Sequence, residues 1–178
     1  MEIDVCIPTW NSSNVLGRSL TLLAAAESDS GVNVNNLIIV DNESSDDTLD
    51  IAERKVRKHG WGELFISRST NLAEARQTGI KYVETEWFLF LDDDVRLSER
   101  YLEKVSRSIA PAVGAIQGRK TSRTESNSDW VRRRARRGGT HGTLIRIDSI
   151  AGIQYPSDLC VLEDEYSRRF VEDSGYLW

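Results

Sequence analysis

The chain has 178 residues, enough for one domain with a sizeable core, and its 39% hydrophobic and 29% charged composition is that of an ordinary folded protein rather than a disordered or fibrous one. No apolar stretch approaches the ~20 residues that span a bilayer. Cys6 and Cys160 show no metal-type spacing and fit a reducing compartment better than a disulfide framework. The net charge of −5 conceals an asymmetry: Arg119 to Arg137 holds eight basic and two acidic side chains, a local +6 that leaves −11 on the rest. One basic segment on an acidic body points to a local anionic partner rather than to general nucleic-acid affinity.

In chain order, Glu2 to Ile7 reads as a first strand ended by Pro8, starting directly at the N-terminus with no signal-peptide pattern. Asn11 to Asn14 supply capping residues for a helix with Leu16, Leu20, Leu23 and Ala24 on one face. Leu37 to Val40 is a short apolar strand, and the polar loop Asp41 to Thr48 leads into a helix striped by Leu49, Ala52 and Val56 that stops near Gly60. Leu64 to Ile66 is a third strand, and Asn71 opens a helix running to Val83. Trp87 to Leu91 is a strand buried on both faces, followed by a helix from Glu99 to Ile109 and a strand from Val113 to Ile116. Thr121 to Gly142 is polar, basic and aperiodic, a mobile loop by pattern. Thr143 to Ile147 reads as strand and Asp158 to Val171 as helix. The alternation predicts an α/β fold: a single domain with a mostly parallel central sheet flanked by helices. Its parts are an alternating strand–helix half at 1–117, the basic loop at 118–142 and a final strand–helix half at 143–178.

The chemistry is concentrated where the Trp87–Leu91 strand runs into Asp92, Asp93 and Asp94. Like charges at about 4 Å cost each other roughly 1 kcal/mol in water and several times more near a protein surface. Such a cluster makes sense around a positive partner. Carboxylate oxygens suit a hard cation such as Mg²⁺ or Mn²⁺, which usually shares its remaining ligands with substrate phosphates. The carboxyl ends of parallel strands are where open α/β sheets bind ligands. The bland alternative is that the acids begin a turn or cap the next helix through Ser98 and Glu99.

Five segments resemble one family. Val5-Cys6-Ile7-Pro8-Thr9-Trp10-Asn11 is similar to its opening strand followed by Pro, Thr or Ser, an aromatic and Asn. Ile39 to Thr48 resembles its V-D-[DN]-x-S-x-D-x-T loop, Asn71 to Gly79 its A-R-N-x-G helix start, Leu91 to Asp94 its D-x-D signature, and Leu162 to Glu165 its acceptor-side E-D motif, followed by Arg168 and Arg169. The family is the inverting, nucleotide-sugar-dependent glycosyltransferases of family 2, with the glycosyltransferase-A fold.

The resemblance implies a nucleotide-diphosphate-sugar donor, a glycan or lipid-linked acceptor, and a divalent metal, Mg²⁺ or Mn²⁺, that neutralises the leaving diphosphate. It implies Asp94 as direct metal ligand and Asp92 as a second acid on the metal or the ribose. Asp93, in the middle, is counted with the substrate-facing set, with solvation as its plain alternative. Pro8, Thr9, Asp41 and Asn42 would line the nucleotide base. Asn42 stands where the family often has Asp, and turn-shaping is its equal alternative. Arg76 would meet a phosphate or the acid cluster, with a structural ion pair as the rival role. Asp164 matches the catalytic base, Glu163 its substrate-facing neighbour, and His141 a wall beside the sugar; a solvated helix face is the alternative for 163–165.

Three partner expectations remain. Arg132 to Arg137 is a solvated loop, an anchor to anionic membrane or a clamp for a phosphorylated acceptor, and the absence of interleaved aromatics argues against nucleic acid. The apolar end Tyr176-Leu177-Trp178 is a candidate homodimer contact. The expected location is cytoplasmic, peripheral at the inner face of the membrane if the basic cluster anchors it. Two rival functions are a nucleotidyltransferase making nucleotide-sugars and a non-catalytic nucleotide- or sugar-binding module. The first is disfavoured because the loop after the first strand, Pro8 to Ser13, has neither Gly nor a basic residue.

Overall fold

A computed structural model describes residues 1–68, 70–118, 139–157, 159 and 161–178. The elements are β1 (Glu2–Thr9), α1 (Leu16–Glu27), β2 (Asn33–Asp41), α2 (Thr48–His59), β3 (Gly62–Ser67), α3 (Leu72–Ile80), β4 (Trp87–Leu91), α4 (Tyr101–Ser106), β5 (Ala115–Gln117), β6 (Gly142–Arg146), α5 (Ile147–Ile150) and α6 (Glu163–Asp173). The strands form one six-stranded sheet in the order β3-β2-β1-β4-β6-β5. β1 to β4 are mutually parallel, and β6 runs antiparallel to both β4 and β5.

Period-two alternation sorts the sheet's two faces. Ile3, Val5 and Ile7 of β1, Leu37 and Ile39 of β2, and Trp87, Leu89 and Leu91 of β4 pack with Leu16, Leu20 and Leu23 of α1, Ala52 and Val56 of α2, and Leu102 of α4. Cys6, Ile38, Phe88, Phe90 and Ile145 point to the other face, against Ala73 and Ile80 of α3 and Val171 of α6. Phe88 and Phe90 are both fully buried and stack edge to face with ring centroids 4.9 Å apart. Burying each such side chain contributes roughly 1.5–3 kcal/mol.

Several boundaries differ from the sequence expectation. β1 continues through Pro8 to Thr9, because β4 pairs with β1 only as far as Cys6 and a missing N–H beyond that point is tolerated. α1 is not capped by the Asn and Ser side chains of 11–14; its N-cap position is Val15, and the Ser12 carbonyl accepts from the N–H groups of Val15 and Leu16 at 3.0 and 2.9 Å. α3 begins as expected, with Asn71 Oδ1 accepting from Glu74 N at 2.9 Å, but ends at Ile80 rather than Val83. α4 covers only 101–106 of the expected 99–109, and α6 starts at Glu163 rather than near 158. α2 ends as expected on Gly60, whose φ of 73° only glycine adopts without cost.

Asp4, which the sequence did not single out, is fully buried at the end of the sheet away from the acids. Its carboxylate accepts from Asn35 Nδ2, Asn36 N, Glu84 N and Thr85 N at 2.6–3.1 Å, tying three segments together. Cys6 is a buried free thiol, raised in pKa chiefly by that burial, while Cys160 lies outside the described residues. The end of the chain folds back on itself: Leu177 bridges Val113, and Trp178 Nε1 donates to Gln117 Oε1 at 3.1 Å. No described helix is long and apolar enough to cross a membrane.

Candidate active site

The alternation of β4 decides where its terminal acids go. Phe88 and Phe90 face α3 and α6, so Asp92, two residues on, continues on that face. There Arg76 of α3 donates from Nη2 to Asp92 Oδ1 at 2.8 Å. The Arg76 side chain is 2% exposed, its guanidinium carbon lies 5.1 Å from the Phe90 ring centre, and Nε stands 3.7 Å from Glu163 Oε1 at the start of α6. One buried cation therefore spans the acid at the end of β4 and the first turn of α6.

Leu89 and Leu91 face α1, and Asp93 continues on their side. Its Oδ2 accepts a short hydrogen bond from Ser12 Oγ. Burial raises the Asp93 pKa, the Ser12 hydrogen bond opposes that rise, and the neighbouring charges of Asp94 and Asp92 add to it. Asp93 is thus half-buried and tethered, unlike the solvated alternative considered for the middle position. Asp94 is exposed. Among the described residues no group of three or more His, Cys, Asp or Glu side chains converges to hold a metal ion unaided. The donor set nonetheless fits a hard cation held by one or two carboxylates, since Asp94 is open and Asp92 keeps Oδ2 beyond its contact with Arg76.

At the same end of the sheet, Thr9 and Asp41 are register partners at the ends of β1 and β2. Asp41 is fully buried and accepts from Thr9 Oγ1 at 2.7 Å, Ser44 N at 2.8 Å and Ser44 Oγ at 2.6 Å. Its carboxylate is committed to shaping the loop. Asn42 N donates to Thr9 O at 2.8 Å and its Oδ1 accepts from Thr70 N at 2.8 Å.

The loops after β1 and β2 are zipped together, with Asn11 N donating to Ser44 Oγ, Ser45 N to Asn11 Oδ1 and Ser12 N to Thr48 Oγ1 at 2.7–2.9 Å. Ser12 continues this zipper to Asp93. Sequence reading missed that role, because a serine ahead of a helix looks like a cap. Asp46 in the same loop is lowered to about 2, chiefly by its hydrogen bond from the Thr48 hydroxyl.

Glu163 and Asp164 occupy the first turn of α6, where carboxylates favour the positive end of the helix dipole. Asp164 Oδ1 accepts from Glu165 N at 2.7 Å. The turn is braced from below by the Tyr155 hydroxyl, 2.7 Å from Ser167 Oγ, which donates to the Glu163 carbonyl at 2.6 Å. Burial pushes the Tyr155 pKa up to about 12, so this phenol stays protonated. The residue before the helix, Leu162, has φ of 67°. Asn11 and Glu43, in the loops after β1 and β2, also have positive φ, of 48° and 54°. Such non-glycine conformations persist where surrounding structure holds them and gather at functional sites.

The structure therefore brings Arg76, Asp92 and Glu163 together, and separately Thr9, Asp41 and Asn42. His141 meets the acids through its backbone, its carbonyl accepting from Asp92 N at 3.5 Å. Pro8 lies within β1 as a strand residue. Arg119 to Arg137, and with it the Arg132–Arg137 cluster, lies outside the described residues.

Comparisons with known proteins agree with this architecture. PcManGT, a mannosyltransferase from Pyrobaculum calidifontis solved with GDP-Man and Mn²⁺, superposes with a TM-score of 0.77 at 19% identity over 98% of this chain and 53% of that one. TarS 1-349 of S. aureus in complex with UDP-GlcNAc gives 0.71 at 21% identity over 99% and 53%. Glucosyl-3-phosphoglycerate synthase of Mycobacterium tuberculosis, solved with Mn²⁺, UDP-Glc and phosphoglyceric acid, gives 0.65 at 13% identity over 98% and 66%. The chain thus spans about half of the first two and two-thirds of the third. The family model for glycosyl transferase family 2 matches residues 4–159, from the first strand to the approach to α6, and the chain belongs to that family.

Proposed function

We propose that this domain transfers a sugar from a nucleoside-diphosphate donor to an acceptor hydroxyl or lipid-phosphate, with inversion at the anomeric carbon and with Mg²⁺ or Mn²⁺ bound beside the diphosphate. The observation that carries the reading is Arg76, which joins Asp92 at the end of β4 to Glu163, the neighbour of Asp164 in the first turn of α6. Family membership and the donors bound in the three solved relatives support it.

The nucleotide lies over the ends of β1 and β2. Thr9 and Asp41 hold the loop that receives it, and the Asn42 amide offers hydrogen bonds to the base. The diphosphate lies over the end of β4. Asp94 and Asp92 are the residues that would hold a divalent cation, which when bound would supply neutralisation of the charge on the diphosphate. Asp93 stays on Ser12 and keeps the acid loop in register with the nucleotide loop. Arg76 holds Asp92 in place.

Asp164 accepts the proton of the acceptor hydroxyl as its oxygen attacks the anomeric carbon from the face opposite the diphosphate. A new carbon–oxygen bond forms as the bond to the diphosphate oxygen breaks, so one displacement inverts the centre. Asp164 Oδ1 is fixed by Glu165 N, which leaves Oδ2 to take the proton. His141 walls the sugar. Arg132 to Arg137 contact a phosphorylated acceptor or an anionic membrane at the cytoplasmic face, and the Tyr176–Trp178 end remains a candidate self-contact.

The test is a panel of UDP- and GDP-sugars incubated with the protein and Mn²⁺, with release of nucleoside diphosphate monitored. Release from one donor class, abolished by EDTA, is the expected result. No release or binding with any donor would contradict the reading.

A further inference from the structure

Arg76 has more donors than its partners satisfy. Nη2 is bonded to Asp92 at 2.8 Å, while Nε faces Glu163 at 3.7 Å, inside ion-pair range but too long for a hydrogen bond. Nε and Nη1 are buried without a hydrogen-bond partner among the described residues. Unsatisfied buried donors are costly, and a guanidinium is a rigid fork of five. Phe90 packs against one face of the guanidinium, and the two carboxylates lie at different edges of it. The cation leans toward Asp92, with a gap on the Glu163 side.

We propose that Arg76 is a positioning residue that couples cation and diphosphate loading at Asp92 to the placement of Asp164, acting through Glu163. The proposal rests on the donor-site reading above. A divalent cation beside Asp92 takes up part of that carboxylate's charge and weakens its hold on Arg76. Glu163, 15% exposed and adjacent to Asp164, then becomes the stronger partner. Shortening 3.7 Å to a hydrogen bond of about 2.9 Å draws the first turn of α6 toward β4. Leu162, held at φ 67°, is the joint on which that turn moves. The donor side is thereby filled before the acceptor base is set.

The test uses the whole chain with Mn²⁺ and UDP or GDP. Two readouts are the Mn²⁺ affinity at saturating nucleotide, by calorimetry, and hydrogen exchange of the 163–173 segment with and without Mn²⁺ and nucleotide. Loading should slow exchange at the start of α6 in the wild type. In Glu163→Gln the guanidinium keeps only Asp92 as an anionic partner and competes with the cation. Mn²⁺ affinity should fall about 5-fold or more, and by reciprocity the exchange response should vanish. Arg76→Lys should also lose the response, because a compact ammonium cannot reach both acids at once. If Arg76→Lys fails to fold, Glu163→Gln decides alone. A match to wild type in either readout for Glu163→Gln overturns the coupling. A wild type that binds nucleotide and Mn²⁺ without any exchange response overturns it while leaving the donor site standing. A wild type that binds neither overturns both.

Discussion

Asp93→Asn should make the protein more stable at neutral pH. Asp93 is half-buried between Asp92 and Asp94, and burial is the main cause of its raised pKa. A carboxyl whose folded pKa exceeds its unfolded value contributes stability that is fully present below the unfolded pKa, about 3.9, and is lost as pH rises through the folded pKa. Above the ordinary carboxylate range the wild type therefore carries a cost for the buried Asp93 charge. An amide removes that charge and still accepts from Ser12 Oγ. Like-charge neighbours at about 4 Å cost roughly 1 kcal/mol each in water, and Arg76 already offsets one of them at Asp92. Because Asp93 is partly exposed, screening holds the net gain to about 1 kcal/mol, or a rise in Tm of ~2–4 °C for a domain of this size. Thermal unfolding in EDTA at pH 7 and pH 4 measures it. The gain should be present at pH 7 and smaller at pH 4, because protonation of the wild-type carboxyl on the acid side removes the charge that burial penalises. Equal shifts at both pH values, or a loss at pH 7, would refute the electrostatic account of this residue.

Three further outcomes follow from the same geometry. Asp164→Asn should lower kcat by about 10²–10⁴-fold while donor and Mn²⁺ binding stay intact, since the amide keeps the size and cannot accept a proton; steady-state kinetics beside calorimetry separate the two. Asn71→Ala removes the cap on Glu74 N and should cost about 1 kcal/mol in urea unfolding, with the midpoint moving and the slope unchanged. Replacing Arg132, Arg133, Arg134, Arg136 and Arg137 with Ser should weaken binding to anionic vesicles or to phosphorylated acceptor, more at low salt than at high, with donor binding unchanged; co-sedimentation across a salt series reads it.

What could be read from the sequence was whatever has a local cause. The five-residue apolar run before three acids placed β4 at its observed bounds, because a strand buried on both faces needs no partner to declare itself. Asn71 was legible as the start of α3 and Gly60 as the end of α2 for similarly local reasons. The expected helices at 99–109 and 158–171 were too long, since apolar spacing continues where the backbone has already turned. The contacts that organise the site were beyond reach. Ser12 and Asp93 are 81 residues apart, and Arg76 meets Glu163 only because α3 and α6 pack on the same face of β4. Once β4 is known as a strand, its alternation sends Asp92 and Asp93 to opposite faces. That signal was present in the sequence, but without the flanking helices placed it names no partners.

The central claim, a cation-dependent diphosphate site at the end of β4, is tested most directly by calorimetry of a nucleoside diphosphate with Mn²⁺ and with EDTA, on the wild type and Asp94→Ala. Tight binding of UDP or GDP only with Mn²⁺, and loss of that dependence in Asp94→Ala, is the predicted result. Equal affinity with Mn²⁺ and with EDTA in the wild type would contradict it.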